Sequence, residues 1–440
     1  MKDSGYKWLG KIPDAWEVVR LKSLFSFGKG LPITKADLIE DGSAVISYGQ
    51  IHSKANSGVK VEKPLIRYVS KDFINTNPSS LVNEGDFIFA DTSEDMEGCG
   101  NCVYVDSQQE LFAGYHTIIA RSLKKQSNKY LAYQFLTDNW RSQIREKVDG
   151  VKLFSTTQTI LKQTYVLLPP QVVQKKIADF LDSKCIEIQA AIDNTKQTIE
   201  EYKKLKTAVI TKAVTKGIRP NRKMKDSGIE WIGQIPEEWE VVKVRHIGQL
   251  QNGISKEGSS FGSGYPFVSY GDVYKNFALP EKVIGLIETS EEERNRYSVK
   301  KGDIFFTRTS ETIEEVGFSS VCKQTIENAT FAGFLIRLRP SFKQINPDFA
   351  KYYFRSEHNR FYLVKEMNLV TRASLGQGLL KNMPVLYPTI PEQSEIAAYL
   401  DKKCFQIDTV IAQKEQFITE LEKYKQSLIY EYVTGKKKVI

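Results

Sequence analysis

The chain has 440 residues, of which 41% are hydrophobic and 26% are charged, and these proportions are typical of a globular protein rather than a disordered or fibrous one. Its formal charge of +9 favours a polyanionic partner only mildly, because 62 basic residues stand beside 53 acidic ones. No segment approaches the about 20 apolar residues of a membrane span, and the five irregularly spaced cysteines do not suggest a disulfide framework, so we expect a cytoplasmic protein without a membrane partner.

The first element in chain order is an opening segment that occurs twice. Thirteen of nineteen positions are identical between MKDSGYKWLGKIPDAWEVV (1–19) and MKDSGIEWIGQIPEEWEVV (224–242). Further segments match downstream: VISYGQI (45–51) with FVSYGDV (267–273), EGDFIFADTSE (84–94) with KGDIFFTRTSE (301–311), and FAGYHTIIARS (112–122) with FAGFLIRLRPS (331–341). A period of about 220 residues is too long for a solenoid and indicates two copies of a domain-sized unit.

The first part of each copy predicts a mixed α+β domain. Short apolar runs such as Asp86–Ala90 and Asp303–Thr307 are bounded by turn residues, which is typical of short strands. The segments Lys129–Val148 and Asp348–Val364 each predict one helix.

The second part of each copy predicts a long helix with a heptad seam. Apolar residues recur there at steps of three and four over about five heptads, broken by Lys206 in the first copy and by Lys414 and Lys425 in the second. Two matching seams predict that the helices pair as a coiled coil about 55 Å long, although each helix could instead pack on its own domain. The predicted seam residues are Leu181, Cys185, Ile188, Ile192, Ile199, Tyr202, Leu400, Cys404, Ile407, Ile411, Ile418, Leu421 and Leu428.

The motifs of several enzyme classes are missing from the sequence. It has no phosphate-binding P-loop and no Asn/Asp-Pro-Pro-Tyr/Phe motif of a base-amino methyltransferase, and none of its four histidines recurs in the other copy. Cys99 and Cys102 form a lone C-x-x-C that lacks the second pair of ligands of a structural zinc site. Glu238, Glu240 and Lys243 have no accompanying nuclease pattern. We therefore predict no catalytic residue and no metal site.

Two similar domains joined by a helical rod suit duplex DNA. The duplex has two-fold symmetry perpendicular to its axis, so domains related by a pseudo-dyad can meet it in equivalent ways. A dyad through the rod requires antiparallel helices. Because the two domains differ in sequence, we expect a bipartite and asymmetric target.

Residues that differ between the copies beside shared segments are candidates for reading bases. Arginine suits guanine, glutamine suits adenine and aspartate can accept from cytosine, each for about 1–3 kcal/mol of discrimination. The alternatives are turn capping by the polar residues and packing by the tyrosines. The candidates after the SYG segments are Tyr48, Gln50, Tyr270 and Asp272, and those after the GD strands are Thr92, Ser93, Arg308, Thr309 and Ser310.

Taken together, these features resemble the specificity subunit of type I restriction–modification systems. The resemblance rests on the repeated opening, the GD strand followed by a Thr/Ser turn, and PEQSEIAAYLD (391–401) leading a long helix, and it spans nearly the whole chain. The first copy departs in PPQVVQKKIADFLD (169–182), which lacks the glutamate of Pro-Glu-Gln but keeps its glutamine.

The resemblance implies two similar target-recognition domains, 1–170 and 224–389, separated by a long antiparallel two-helix coiled coil. The conserved helices would be 171–216 and 390–435, with a linker at 217–223 and a basic tail at 436–440. It also implies a non-catalytic subunit in defence against foreign DNA, whose partners are double-stranded DNA, two methyltransferase (modification) subunits and restriction/translocase subunits. S-adenosylmethionine, ATP and Mg would be bound by those partners, and this chain would bind no cofactor.

Three other functions remain open from the sequence. An enzyme with an unrecognised site would show activity as the lone chain. A scaffold joining two protein partners without reading DNA would bind those partners and no duplex. A stand-alone transcriptional regulator would bind its operator tightly without a methyltransferase.

Overall fold

The chain folds into two compact units in a computed structural model that describes residues 1–6, 9–123, 126–150, 152–310, 316–366 and 373–439, without the side chains of residues 310, 366 and 373. Unit 1 comprises Met1–Thr195 with Gln416–Ile440, and unit 2 comprises Lys196–Glu415. Each unit therefore combines one globular part with a stretch of both long helices, Gln171–Lys216 and Ile390–Val433.

Unit 1 contains two four-stranded sheets. The first is antiparallel, in the order Cys102–Tyr104, Phe87–Ala90, Thr117–Ser122 and Phe25–Lys29. The second is mixed, in the order Arg67–Val69, Ser43–Ile46, Leu111–Ala113 and Leu81–Val82. Short strand pairs join Lys2–Asp3 to Lys11–Ile12, Thr92–Ser93 to Phe154–Ser155, and Glu17–Arg20 to Tyr165–Leu168. The short helices are Tyr48–Ile51, Phe73–Thr76, Asn128–Phe135, Asp138–Arg145 and Gln158–Gln163.

Unit 2 has a related arrangement of strands. Its antiparallel sheet runs Gly248–Asn252, Leu335–Pro340, Ile304–Thr307 and Ser319–Val321, and its mixed sheet runs Leu286–Ile287, Phe261–Val268 and Thr330–Phe331. Short pairs join Met224–Asp226 to Gln234–Pro236, Glu240–Lys243 to Pro384–Tyr387, and Thr309–Ser310 to Ala373–Ser374. The short helices are Tyr270–Lys275, Glu291–Arg296, Pro347–Tyr353, Glu357–Glu366 and Gln377–Asn382.

The central strand Phe87–Ala90 is buried on both faces, which explains its unbroken apolar sequence. Phe87 and Phe89 face a helical layer, with ring centroids 4.9 Å from Phe135 and 5.9 Å from Trp140, respectively. Ile88 packs into a separate core on the opposite face. Packing on both faces therefore fixes this strand, and the strand positions the segment that follows it, Asp91–Ser93.

The two long helices pair in antiparallel orientation in both units. In unit 1 the centroid of the Phe180 ring lies 4.5 Å from that of the Tyr432 ring. Further along the first helix, Gln189 accepts a hydrogen bond from Lys425, which comes earlier than Tyr432 in the second helix. In unit 2 Lys206, which lies in the later part of the first helix, pairs with Asp408, which lies in the earlier part of the second. The two helices therefore run in opposite directions. The predicted α+β fold class and the antiparallel coiled coil are thus confirmed.

The predicted seam residues are buried or half-buried. Buried are Leu181, Cys185, Ile188, Ile192, Ile199, Leu400, Cys404, Ile407 and Leu428, and half-buried are Tyr202, Ile411, Ile418 and Leu421. Two of the three lysines that interrupt the seam have hydrogen-bond partners on the opposite helix: Lys206 Nζ lies 2.7 Å from Asp408 Oδ2, and Lys425 Nζ donates to Gln189 Oε1 at 3.3 Å. Lys414 Nζ lies 5.9 Å from the centroid of the Tyr202 ring. Such polar contacts favour one register of the helix pair over others.

The prediction of one helix over Lys129–Val148 is wrong, because two helices, Asn128–Phe135 and Asp138–Arg145, occupy that segment. Thr137 has extended backbone geometry between them, and its side chain accepts from Trp140 N as the cap of the second helix. Asp348–Val364 is divided in the same way, between Pro347–Tyr353 and Glu357–Glu366. The apolar periodicity continues across a capped turn, so periodicity alone did not show the break.

Candidate nucleic-acid interface

The first candidate loop of unit 1 is a short helix, Tyr48–Ile51, that directly follows a buried strand. Gln50 Oε1 accepts a hydrogen bond from Ser47 N at 3.2 Å, so this side chain caps the helix. Its amide nitrogen makes no hydrogen bond to the part of the chain that the structure describes. Gln50 therefore combines a capping role with a donor that is available to a ligand.

Tyr48 belongs to a cluster of aromatic rings beside this helix. Its ring centroid lies 6.3 Å from that of His52, 5.6 Å from Tyr115 and 5.4 Å from His116, all in edge-on orientations. These contacts show that Tyr48 packs within the unit, and its half-buried ring leaves part of its surface accessible.

The second candidate loop of unit 1 follows the central strand. Thr92 Oγ1 donates to Asp91 Oδ1 at 2.8 Å, and His52 Nε2 lies 2.9 Å from Thr92 O, which links this loop to the first one. Ser93 is 4% exposed and its Oγ donates to Asp95 O at 2.7 Å. Thr92 is thus the more accessible of the two predicted residues, and a base contact by Ser93 requires the loop to open.

Sequence reasoning missed the residues that connect the two loops of unit 1. His116 Nδ1 lies 3.2 Å from Asp91 Oδ1, and both side chains are partly exposed. The available signal was that His52 and His116 have no histidine counterpart in the second copy. Candidate residues from both loops, Tyr48 and Thr92, are brought together through these histidines.

His116 occupies the position that Phe334 has in the second copy. Thr117 pairs with Ala90, and Leu335 pairs with Thr307, at equivalent places in the two sheets. The ungapped match of residues 112–122 with 331–341 is therefore displaced by one position. The shared Phe-Ala-Gly is displaced as well, because Ala113 pairs with Ile46 whereas Phe331 pairs with Val268. His116 has a φ of 54°, a left-handed conformation typical of a bulged or turn residue.

In unit 2 the first candidate loop is the helix Tyr270–Lys275. Asp272 Oδ2 accepts from Ser269 N at 2.8 Å and from Ser269 Oγ at 2.7 Å, which forms a capping box. The Tyr270 ring stacks on Tyr274 with centroids 6.0 Å apart. The predicted residues of this loop therefore stabilise their own helix, and a role in DNA contact stays a prediction.

The second candidate loop of unit 2 carries Arg308, which is half-buried. Its guanidinium has no hydrogen bond or ion pair to any residue within the described ranges, whereas Arg355 donates to the backbone oxygens of Asn276 and Ser319. Thr309 is half-buried next to it, and Ser310 has a described backbone but a side chain outside the described residues. Arg308 is thus a cation available to an acceptor from outside.

The two cysteines of the C-x-x-C motif and His358 are buried. Cys99 and Cys102 are buried, and burial raises the pKa of the Cys102 thiol to about 12, so that thiol is not a ready nucleophile or ligand. Burial also lowers the pKa of His358 from its usual 6.5 to about 3. Among the described residues no group of three or more His, Cys, Asp or Glu side chains could hold a metal ion.

The carboxylates of the strand-like segment near Glu238 are ion-paired. Arg222 Nη2 lies 3.0 Å from Glu238 Oε2, and Lys343 Nζ lies 2.5 Å from Glu240 Oε2. Lys343 holds the pKa of the exposed Glu240 carboxyl below its usual range. These pairs give each carboxylate a structural partner on the surface of unit 2.

Within the described ranges, no helix has the length and apolar character needed to cross a membrane.

Comparison with protein families identifies the group to which the two units correspond. The model of the "Type I restriction modification DNA specificity domain" matches residues 13–201 and 236–423, more than half of the chain. The chain belongs to this family. The two matched segments correspond to the two copies seen in the sequence, so the predicted resemblance is confirmed.

Individual relatives extend the similarity over nearly the whole specificity subunit. The chain is 22% identical to the type I restriction enzyme EcoKI specificity subunit of Escherichia coli K12, covering 97% of this chain and 90% of that protein. It is 25% identical to the MjaVIII specificity subunit of Methanocaldococcus jannaschii, covering 98% and 94%.

Solved structures share the fold of this specificity-domain chain. One, described as the structural basis of complex assembly and conformational transition of the type I R-M system, matches with a TM-score of 0.71 and 17% identity over 96% of this chain and 98% of that one. The HsdS subunit from Thermoanaerobacter tengcongensis matches with a TM-score of 0.56 and 16% identity over 99% and 100%. At these identities the likeness concerns the fold.

Proposed function

We propose that this chain is the DNA-specificity subunit of a type I restriction–modification complex and that its two units read the unlike halves of a bipartite site. One observation carries the proposal: both units have the same pair of loops, one after the SYG segment and one after the central strand, with different residues in each. The same scaffold with different side chains suits two unlike half-sites.

The available polar groups of these loops fit a nucleic acid. Arg308 can donate bidentately to guanine, and the amide nitrogen of Gln50 can donate to a base or a phosphate. The surplus of 62 basic over 53 acidic residues adds a general attraction to the DNA backbone. The predicted contacts are therefore of two kinds, base reading by the loops and phosphate attraction by the wider surface.

Two methyltransferase subunits are the proposed protein partners, one for each unit. Equivalent positions of the two helices expose apolar side chains: Ile186 and Phe405 are 69% and 73% exposed, and Leu205 and Tyr424 are 48% and 55% exposed. Large apolar side chains that are exposed at the same two helix positions in both copies are typical of a surface that binds another protein. The repetition favours two copies of one partner as the occupants.

These four residues form one pair in each unit. In unit 1, Ile186 and Tyr424 lie within a turn of the bonded residues Gln189 and Lys425, and in unit 2 Leu205 and Phe405 lie in the same way beside Lys206 and Asp408. We call them the apolar pairs. Each pair takes one residue from each helix, so a partner seated there would contact both helices.

Catalysis belongs, in this proposal, to the partners. The methyltransferase subunits bring S-adenosylmethionine, restriction/translocase subunits bring ATP and Mg, and this chain contributes specificity without a reaction of its own. Its proposed place of action is the cytoplasm, where the DNA and the partner subunits are.

Selection from a random duplex library by the chain assembled with methyltransferase subunits tests the proposal. We expect the bound duplexes to share two short, unlike sequences at a fixed distance. A complex that forms yet enriches no sequence would favour the two-partner scaffold. Tight sequence-specific binding by the lone chain would favour a transcriptional regulator, and methylation or cleavage by the lone chain would favour an enzyme.

A further inference from the structure

One equivalent position in the two units carries opposite charges. Asp91 and Arg308 both directly follow the central strand of their sheet. Asp91 N donates to His116 O at 3.1 Å, and Arg308 N donates to Phe334 O at 2.9 Å. The backbone at this position is therefore held in the same way in both units.

The carbonyl groups show the same equivalence. Thr156 N donates to Asp91 O at 2.8 Å, and Leu375 N donates to Arg308 O at 2.7 Å. With both backbone groups fixed by matching partners, the difference between the units at this position lies in the side chain. A charge reversal on a common backbone suits two readers of different bases.

The Asp91 carboxylate is oriented within unit 1 but not enclosed. Thr92 Oγ1 donates to Oδ1 at 2.8 Å, His116 Nδ1 lies 3.2 Å from the same oxygen, and the side chain is 33% exposed. Oδ2 makes no hydrogen bond to the described part of the chain. One oxygen is thus used to hold the carboxylate, and the other is available as an acceptor.

The nature of the ligand follows from the charge. A carboxylate repels phosphate, so on a DNA-facing loop it is suited to an amino group on a base edge, and the cytosine N4 amino group is the donor that acidic side chains accept from. The Arg308 guanidinium offers parallel donors that match the two acceptors of guanine.

We propose that Asp91, oriented by Thr92 and His116, reads a cytosine in the half-site of unit 1, and that Arg308 at the equivalent position reads a guanine in the half-site of unit 2. This inference rests on the proposed DNA-reading function and adds the base class at one position of each half-site. His116 is a positioning residue, and the second copy has Phe334 at this position and Arg308 in place of the carboxylate.

Library selection with single variants of the assembled complex tests this assignment. Asp91→Asn is expected to lower the preference for cytosine at one position of one half-site by about 5- to 150-fold, and to leave the other half unchanged. Arg308→Gln is expected to lower the guanine preference in the other half to a similar extent. His116→Gln is expected to weaken the same preference as Asp91→Asn by a smaller factor.

Matched controls separate base reading from general attraction. Glu94→Gln removes an exposed negative charge three residues after Asp91, and Lys301→Gln removes an exposed positive charge at the other end of the strand that precedes Arg308. Both variants are expected to leave both halves unchanged. Arg308→Lys keeps the charge but loses the bidentate geometry, so it is expected to behave like Arg308→Gln. If Arg308→Lys instead retains the full guanine preference, or if the variants weaken binding equally to all duplexes, the assignment is overturned.

The outcomes distinguish this inference from the proposed function. If the unaltered complex enriches no sequence, the DNA-reading function fails. If it enriches a bipartite site and the Asp91 and Arg308 variants enrich that same site with unchanged preferences, the function stands and only the base assignment fails. Thermal unfolding of each variant, expected to match that of the unaltered chain, excludes loss of folding as the cause of a change.

Discussion

Replacing Arg222 by alanine is expected to lower the free energy of unfolding by about 3–5 kcal/mol, because it leaves a buried carboxylate without its cation. The Glu392 side chain is 4% exposed and the Arg222 side chain is 10% exposed, and the two form an ion pair within unit 2. Glu392 Oε2 also accepts from Trp239 Nε1 at 3.0 Å. One carboxylate thus joins the start of the second long helix to the linker and the repeated opening segment.

An exposed arginine–glutamate pair of unit 2 provides the control for the buried pair. Arg219 pairs with Glu395 at 2.8 Å, but both side chains are about half exposed, so Arg219→Ala is expected to cost less than about 1 kcal/mol. Denaturant titration of the full chain, followed by tryptophan fluorescence, measures both variants. Equal losses for Arg222→Ala and Arg219→Ala would contradict a special role for the buried pair.

A double variant separates charge burial from packing. The first copy has Val173 where the second has Glu392, so an apolar residue is compatible with this helix position. Arg222→Met with Glu392→Val removes both charges and is expected to lose less stability than Arg222→Ala alone. The remaining loss, about 1–3 kcal/mol, would come from the Trp239 indole, which is left without its acceptor. A double variant less stable than the single one would contradict this explanation.

Replacing one apolar pair by glutamates is expected to release one of two methyltransferase subunits. Leu205→Glu with Phe405→Glu places charges where unit 2 would bury apolar area, and a buried aromatic anchor such as Phe405 contributes about 2 kcal/mol or more. Ile186→Glu with Tyr424→Glu is the corresponding change in unit 1. Native mass spectrometry is expected to show two partner subunits on the unaltered chain and one on either variant.

The control for this experiment is Val172→Glu, which charges another exposed apolar residue, 71% exposed, outside the apolar pairs. It is expected to retain both subunits, and combining the two double variants is expected to release both. If each double variant binds two subunits with unchanged affinity, the partners do not dock at the apolar pairs.

The helical part of the fold was predictable because its determinants are periodic. Three- and four-residue steps identified the seam, and two of the three lysines that interrupt it have polar partners on the opposite helix, Asp408 for Lys206 and Gln189 for Lys425. The break at Thr137 was not predictable from periodicity, since the cap depends on a single hydrogen bond to Trp140 N.

The candidate site was predictable at the level of loops but not of side-chain networks. Shared segments located the loops that carry Gln50 and Thr92, because divergence beside a conserved framework is visible in the sequence. The contact of His116 with Asp91 joins residues 25 positions apart, in a segment that the ungapped match of the two copies displaces by one position. Such contacts become visible only when strand register is known.

A map of modified bases tests the central claim most directly. The chain would be expressed with a type I methyltransferase in a host without adenine methylation, and its genome sequenced with modified-base detection. The account predicts a new methylated motif of two unlike short halves around a fixed gap. If the same methyltransferase is active with another specificity subunit, but leaves no such motif with this chain, the claim that the two units read two half-sites is contradicted.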